Sequence, residues 1–267
     1  MARAASLKVT GKLILIAMLS IIKQTTILLG LYKPARALYR AIDASQRREF
    51  EQQRTFLAQF LGPGCLAFDV GANIGIRSEI MLSLGARVVA FEPQPICARE
   101  TRARGNDSLV VVEKAVGERT GSAQLFLKHA SVQASLIEKW QGGPTTGVLR
   151  VPVTTLDDEI EKFGLPNFCK VDVEGYEAQV IRGLSSPIPT ISLEYHCDNA
   201  GIEKVRDILV HLEKIGSYEV NLIGGEDPVW LSSSWLPVAR FMESFPEIAG
   251  PHYWGDLFVR LIVPPST

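Results

Sequence analysis

The 267 residues contain no Cys-x-x-Cys pair. Cys65, Cys97, Cys169 and Cys197 are scattered along the chain. That excludes a zinc ribbon and a disulfide framework, and the four read as reduced thiols of a cytoplasmic protein. Net charge is nearly absent: 28 Lys and Arg against 29 Asp and Glu leave −1. Nothing in that balance points to nucleic acid as a partner. A continuous apolar run long enough for a bilayer span is also lacking. Leu13–Ile22 and Ile27–Tyr32 are apolar, but Lys23, Gln24, Thr25 and Thr26 separate them, and the first run alone is about the length of a signal-peptide core or a buried helix.

What the chain does have is a globular composition, 46% hydrophobic and 21% charged, and a length suited to one large α/β domain with additions. Charge is unevenly placed. Arg3, Lys8, Lys12, Lys23, Lys33, Arg36 and Arg40 precede the first acid, Asp43. The basic, apolar N-terminus reads first as a helix packed on the domain. Its alternative is an amphipathic helix lying on an anionic membrane surface, a peripheral contact rather than a span. Helical spacing of Leu38, Ile42, Phe50, Phe56, Leu57 and Phe60 continues to Gly62-Pro63-Gly64. Residues 1–61 therefore form a helical extension and 62–267 the main domain.

From Cys65 the pattern alternates. Strands are expected at Leu66–Val70, Arg87–Glu92 and Leu109–Glu113, with helices at Ile76–Leu84 and through Arg104 between them. Successive strand–helix–strand units imply a doubly wound, largely parallel sheet. Strands at Ser122–Leu127 and Val148–Val153 flank a Gly/Ser/Thr/Gln-rich stretch, Ser131–Gly147, whose length suggests a function. A short acidic helix at Thr155–Phe163 follows. Further strands are expected at Phe168–Val173, Thr190–His196, Tyr218–Ile223 and Asp256–Ile262, with a helix at Ile202–Ile215. The aromatic residues within 224–254 either shape a pocket or, more ordinarily, pack on the sheet.

The turn Asp69-Val70-Gly71-Ala72-Asn73-Ile74-Gly75 breaks a strand at glycines and opens a helix. Such a loop can bring backbone N–H groups close to a ligand. Its spacing departs from the G-x-G-x-x-G of dinucleotide sites, and Asp69 at the loop mouth would repel pyrophosphate and attract an ammonium. Glu92, 17 residues beyond Gly75, ends the second strand where an acid accepts hydrogen bonds from ribose hydroxyls. An adenosine-bearing ligand without phosphate fits both, and S-adenosylmethionine is one. Its carboxylate could meet the helix start near Ile76, where Arg77 reads as an ordinary surface residue.

A second dense site is Lys170-Val171-Asp172-Val173-Glu174-Gly175-Tyr176-Glu177. Asp172 and Glu174 fall beyond a strand's carboxyl end, where open α/β sheets bind ligands. They could orient a ligand, take a proton or hold a divalent cation; Glu177 suits a helix start. Ser192, Glu194 and His196 alternate onto one face of the next strand, and a histidine beside a carboxylate can serve as a base. His129 and His252 lie in loops.

The ordered set D-V-G-A-N-I-G (69–75), F-E-P (91–93), A-V-G-E-R-T-G (115–121), T-L-D-D (155–158), K-V-D-V-E-G-Y-E (170–177) and S-L-E-Y-H (192–196) resembles the FkbM-type S-adenosylmethionine-dependent methyltransferases. The resemblance implies a seven-stranded Rossmann-like sheet with its final strand, W-G-D-L-F-V (254–259), antiparallel. It implies methyl transfer, usually to a hydroxyl oxygen. Asp69, Gly71, Asn73, Gly75 and Glu92 fall on cofactor positions, with Ala115 and Val116 at the adenine edge. Asp172, Glu174, Glu194 and His196 fall in or beside the family motifs. Ile76-Arg77 departs from the small polar or aromatic residues common there.

The expected function is methylation of a hydroxyl on a sugar, lipid-linked glycan or secondary metabolite, with Asp172, Glu194 or His196 as the base. Asp172 and Glu174 are the candidates for a metal. Two alternatives use the same residues: an NAD(P)-dependent oxidoreductase, and a non-catalytic membrane-associated protein with a relict cofactor site.

Overall fold

The computed structural model describes residues 44–128, 134–140, 144–225, 227–250 and 252–262. The N-terminal apolar segment 13–32, Leu38, Ile42, His129 and part of the 131–147 stretch lie outside these. Chain contacts define two units that divide between Phe50 and Glu51 rather than at Gly62. The reason lies in helix α1 (Ala44–Leu57) and the turn after it. Phe56 packs on Phe258 and Trp230, with ring centroids 5.4 and 4.8 Å away, and Phe60 stacks on Phe168 at 5.8 Å. Those rings tie residues 51–61 to the sheet by burial of apolar surface.

The main sheet begins with β1 (Leu66–Val70), β2 (Arg87–Phe91) and β3 (Leu109–Val112), separated by α2 (Ile76–Ser83) and α3 (Pro95–Arg104). After β3 the chain leaves the sheet and builds a second one from β4 (Ala115–Val116), β5 (Gly121–Lys128), β6 (Ala134–Ser135) and β7 (Thr145–Thr154). The helix α4 (Leu156–Phe163) starts where Thr155 Oγ1 accepts the Asp158 N–H, an N-cap that satisfies an otherwise unpaired amide. The chain then returns through β8 (Phe168–Val171), α5 (Glu177–Arg182), β9 (Thr190–His196), α6 (Asn199–Leu212), β10 (Tyr218–Gly224), β11 (Leu236–Pro237), α7 (Val238–Ala249) and β12 (Trp254–Leu261).

The order across the main sheet is β11-β10-β12-β9-β8-β1-β2-β3. Five strands from β9 to β3 run parallel, and β12 inserts antiparallel between β9 and β10. This is the Rossmann-like sheet of the class I methyltransferase type. The eighth strand, against seven expected, is the two-residue β11, which pairs only with the edge of β10. Its Pro237 lacks an N–H and suits an edge.

The pleat sorts the two faces. Phe68, Val70, Phe91, Cys169, Val171, Ile191, Leu193, Tyr195, Leu257 and Val259 point into the larger core with α5, α6 and α7. The opposite face carries Ala67, Asp69, Lys170, Ser192, Glu194 and Asp256, with Ile80 and Met81 of α2 buried on that side. That second face also carries the buried rings of Phe168 and Phe258, and its acids and lysine lie toward the carboxyl ends of β8 and β9. Of the insertion's aromatics, Phe241 and Phe245 are buried in α7, Trp230 and Trp235 pack together at 5.1 Å, and Tyr253 and Trp254 stay exposed. All four cysteines are free thiols.

Candidate functional site

A cleft of about 670 Å³ opens beyond the carboxyl ends of β1, β2 and β8. Gly71, Asn73, Glu92, Ala115, Val116, Asp172 and Glu174, all expected at the site, line it. Lys114, Gln94 and Tyr176 join them, and Leu125, Ala134 and Leu136 of the second sheet form an apolar wall. Sequence reasoning missed these last three because the stretch that holds two of them has no usable periodicity.

The glycine loop does something other than expected. Gly71 and Ala72 N–H both donate to Phe91 O at 3.0 Å, Gly75 N–H donates to Ala72 O at 2.8 Å, and Asn73 N–H donates to Glu92 Oε2 at 2.8 Å. These four amides hold the loop rather than reach a ligand. Gly71 is required by space: its φ is +82°, and a Cβ there would sit 1.8 Å from the Asp172 carbonyl oxygen. That close approach seats the loop directly on Asp172 of the second motif.

Four expected positions are displaced from the cleft lining. Asp69 is buried beneath the loop, where Ser78 Oγ donates to Oδ2 at 2.5 Å. Burial pushes its carboxyl pKa up, and its side chain does not line the cleft. Gly75 caps α2 at φ +79°, and a Cβ there would strike Thr101 of α3 at 2.8 Å. Its work is helix-on-helix packing. Glu194 and His196 lie beyond the lining, on the adjoining β9 edge.

Glu92 is the group the cleft is built around. Its Oε1 accepts the Gln94 N–H and its Oε2 the Asn73 N–H, each at 2.8 Å. Burial pushes its pKa to about 7, against the lowering effect of those two amides. Each oxygen keeps a lone pair for a further donor.

The β8 end is an ion-pair network. Lys170 Nζ lies 2.7 Å from Asp172 Oδ2 and is itself nearly fully buried. Asp172 loses part of its charge stabilisation to desolvation, yet the Lys170 ammonium holds its pKa below the usual carboxylate range. Glu177, fully buried, accepts the Val173 and Gly175 N–H groups at 3.2 and 3.0 Å on Oε1, and Lys204 Nζ at 2.6 Å on Oε2. It is a clamp on the loop that carries Glu174, whose φ is +53°. The second sheet grips that residue too: Ser135 Oγ donates to Glu174 O at 2.7 Å and Trp140 Nε1 to Glu174 Oε2 at 3.0 Å. Among the described residues no group of three or more His, Cys, Asp or Glu side chains is arranged to share a metal ion, so Asp172 and Glu174 find no third ligand there.

On β9, desolvation and then the charges of Asp172, Glu177 and Glu174 push Glu194 up to about 8. Desolvation and Lys204 push His196 below its ordinary value. Glu194 Oε2 and His196 Nδ1 are both shut from solvent with no hydrogen-bond partner. The imidazole stands edge-on to Trp140 and Tyr253, with centroids 5.6 and 5.9 Å away.

Comparison with known proteins places the chain in a family. Residues 69–219 match the family model described as the Methyltransferase FkbM domain. The chain is 28% identical over 143 residues to the hexuronic acid methyltransferase AglP of Haloferax volcanii, covering 51% of this chain and 56% of that protein. It thus spans about half the length of that curated relative. Among solved structures it is similar to a TehB-like SAM-dependent methyltransferase from Corynebacterium glutamicum, with 11% identity, 86% of this chain, all of the other and a TM-score of 0.43. It is also similar to an rRNA methylase from Streptococcus thermophilus, with 9% identity, 79% and 95% coverage and a TM-score of 0.42.

Proposed function

The chain belongs to the FkbM methyltransferase domain family, and from that premise we propose that it moves a methyl group from S-adenosylmethionine to a hydroxyl oxygen of a sugar or glycan. The observation that carries the cofactor half is Glu92: a buried carboxylate at the end of β2, pinned by two amides and lining a cleft with apolar walls. Ribose hydroxyls suit its remaining lone pairs, and Val116, Leu125 and Leu136 suit a flat heterocycle. A pyrophosphate fits poorly, because the loop amides of Gly71, Ala72 and Asn73 already have partners. That weakens the nicotinamide alternative. Asp172, kept ionised by Lys170, presents negative charge to the cationic end of the ligand.

When bound, S-adenosylmethionine supplies an electrophilic methyl on a sulfonium that leaves as a neutral thioether. The protein's part is to align the acceptor and take its proton. Of the three base candidates, Asp172 is tied to Lys170 and weakly basic, and Glu194 holds its proton below about pH 8. His196 is neutral at physiological pH and has a buried Nδ1 without a partner. We therefore assign it the hydroxyl proton. The 28% relative, named for hexuronic acid, supports a sugar acceptor.

Isothermal titration with S-adenosylmethionine on the full chain tests the first half, with binding expected for the wild type and weakened for Glu92→Ala. Folded wild-type protein that binds none would defeat the reading. Among the described residues no helix is long and apolar enough to cross a membrane. Surface association through 13–32 stays a proposal, checked by fractionating the full chain against one starting near Ala35.

A further inference from the structure

We propose that the β9 edge receives a sugar ring that is uncharged around the reacting hydroxyl and turns away hexuronates; this rests on the sugar O-methylation reading above. Two atoms locate the subsite. Glu194 Oε2 and His196 Nδ1 are buried, lie on one strand two residues apart, and have no partner. Buried polar atoms are almost always paired, so two orphans on one edge mark where a ligand's hydroxyls complete the set. Both suit neutral hydroxyls: the imidazole accepts, and the protonated Glu194 donates or accepts. The rings of Trp140 and Tyr253, each packed edge-on to His196, add the apolar contact typical of small-ligand sites.

Charge then sets the sign of the selection. Asp172, Glu177, Glu174 and Lys170 act on Glu194, and Asp256 is its register partner on β12. Glu177, Asp198, Asp172 and Lys204 act on His196. The two lysines among these neighbours each have a carboxylate: Lys170 on Asp172 at 2.7 Å and Lys204 on Glu177 at 2.6 Å. A ligand carboxylate would leave water, meet no free cation among these groups and face several acids, a combination that burial penalises strongly.

The experiment uses the full chain, methyl-labelled S-adenosylmethionine and matched pairs of p-nitrophenyl glucoside with glucuronide and galactoside with galacturonide. The neutral member of each pair is expected to accept methyl with kcat/KM at least ~10-fold higher. Glu174→Gln, which keeps an acceptor for Trp140 but removes a charge, is expected to narrow that ratio several-fold. Equal or faster transfer to the uronide overturns the selection while leaving the methyltransferase reading intact. A ratio unchanged in Glu174→Gln overturns its assignment to this edge. Cofactor binding without transfer to any of the four glycosides defeats the sugar reading, and the selection falls with it.

Discussion

At the ends of β1 and β2 the loop amides of Gly71, Ala72, Asn73 and Gly75 all have partners inside the chain, whereas at the end of β9 two buried polar atoms have none. The first region is preorganised. Its glycines, the Glu92 carboxylate and the β2 carbonyls settle each other's geometry before any ligand arrives, so binding there needs little rearrangement. The second region is incomplete by itself, with a carboxyl held protonated and an imidazole held neutral by burial. On the reading proposed above, a donor side settled beforehand and an acceptor side completed only by the right substrate place specificity where the chemistry occurs.

The comparison breaks most severely at Gly71. Gly71→Ala forces a Cβ into the Asp172 carbonyl at φ +82°, and a loss of more than ~3 kcal/mol in urea unfolding is expected. His196→Gln is expected to lower kcat by roughly 10²–10⁴ with the titrated affinity for S-adenosylmethionine unchanged. A parallel fall in cofactor affinity would mean that the two regions are not separate. Glu92→Ala is expected to weaken cofactor binding by about 10–100-fold, the loss of two hydrogen bonds to a charged group.

Protonation sharpens the same contrast. Glu92 titrates near 7. Above that pH it is ionised and accepts only; below it one oxygen carries a proton and turns a donor toward an amide N–H or a ribose hydroxyl. Cofactor affinity is therefore expected to weaken as pH falls from about 8 to about 6, with the slope gone in Glu92→Gln, as calorimetry at both pH values would show. The smallest effect belongs to Trp140→Phe. It keeps a ring but loses the bond to Glu174 Oε2, and about 1 kcal/mol of stability, read by urea unfolding, is expected to go with it.

The sequence by itself determined much of the frame. β1 and β9 occupy the residues expected from their apolar runs, and the Thr155 cap and the glycine-punctuated start of α2 are local chemistry. Glu92 was legible for the same reason: an acid at the end of a strand must emerge beside the preceding loop. The parts that the tertiary structure decided involve groups far apart in the chain. The pleat and Ser78 take Asp69 beneath the loop instead of into the cleft. Gly75 serves Thr101 of the next helix. Trp140 and Leu136 reach the site from the stretch between β6 and β7, whose place beside the cleft no periodicity in 131–147 foretold, although the flanking strands were expected. Strand register sets Lys170 beside Ser192 and Glu194 beside Asp256, and burial, with the charges of Asp172, Glu177 and Glu174 brought near by packing, keeps the proton on Glu194. Hydrophobic period and turn residues act over a few neighbours and can be read along the chain. Burial, register and the pairing of distant polar groups exist only once the layers have packed.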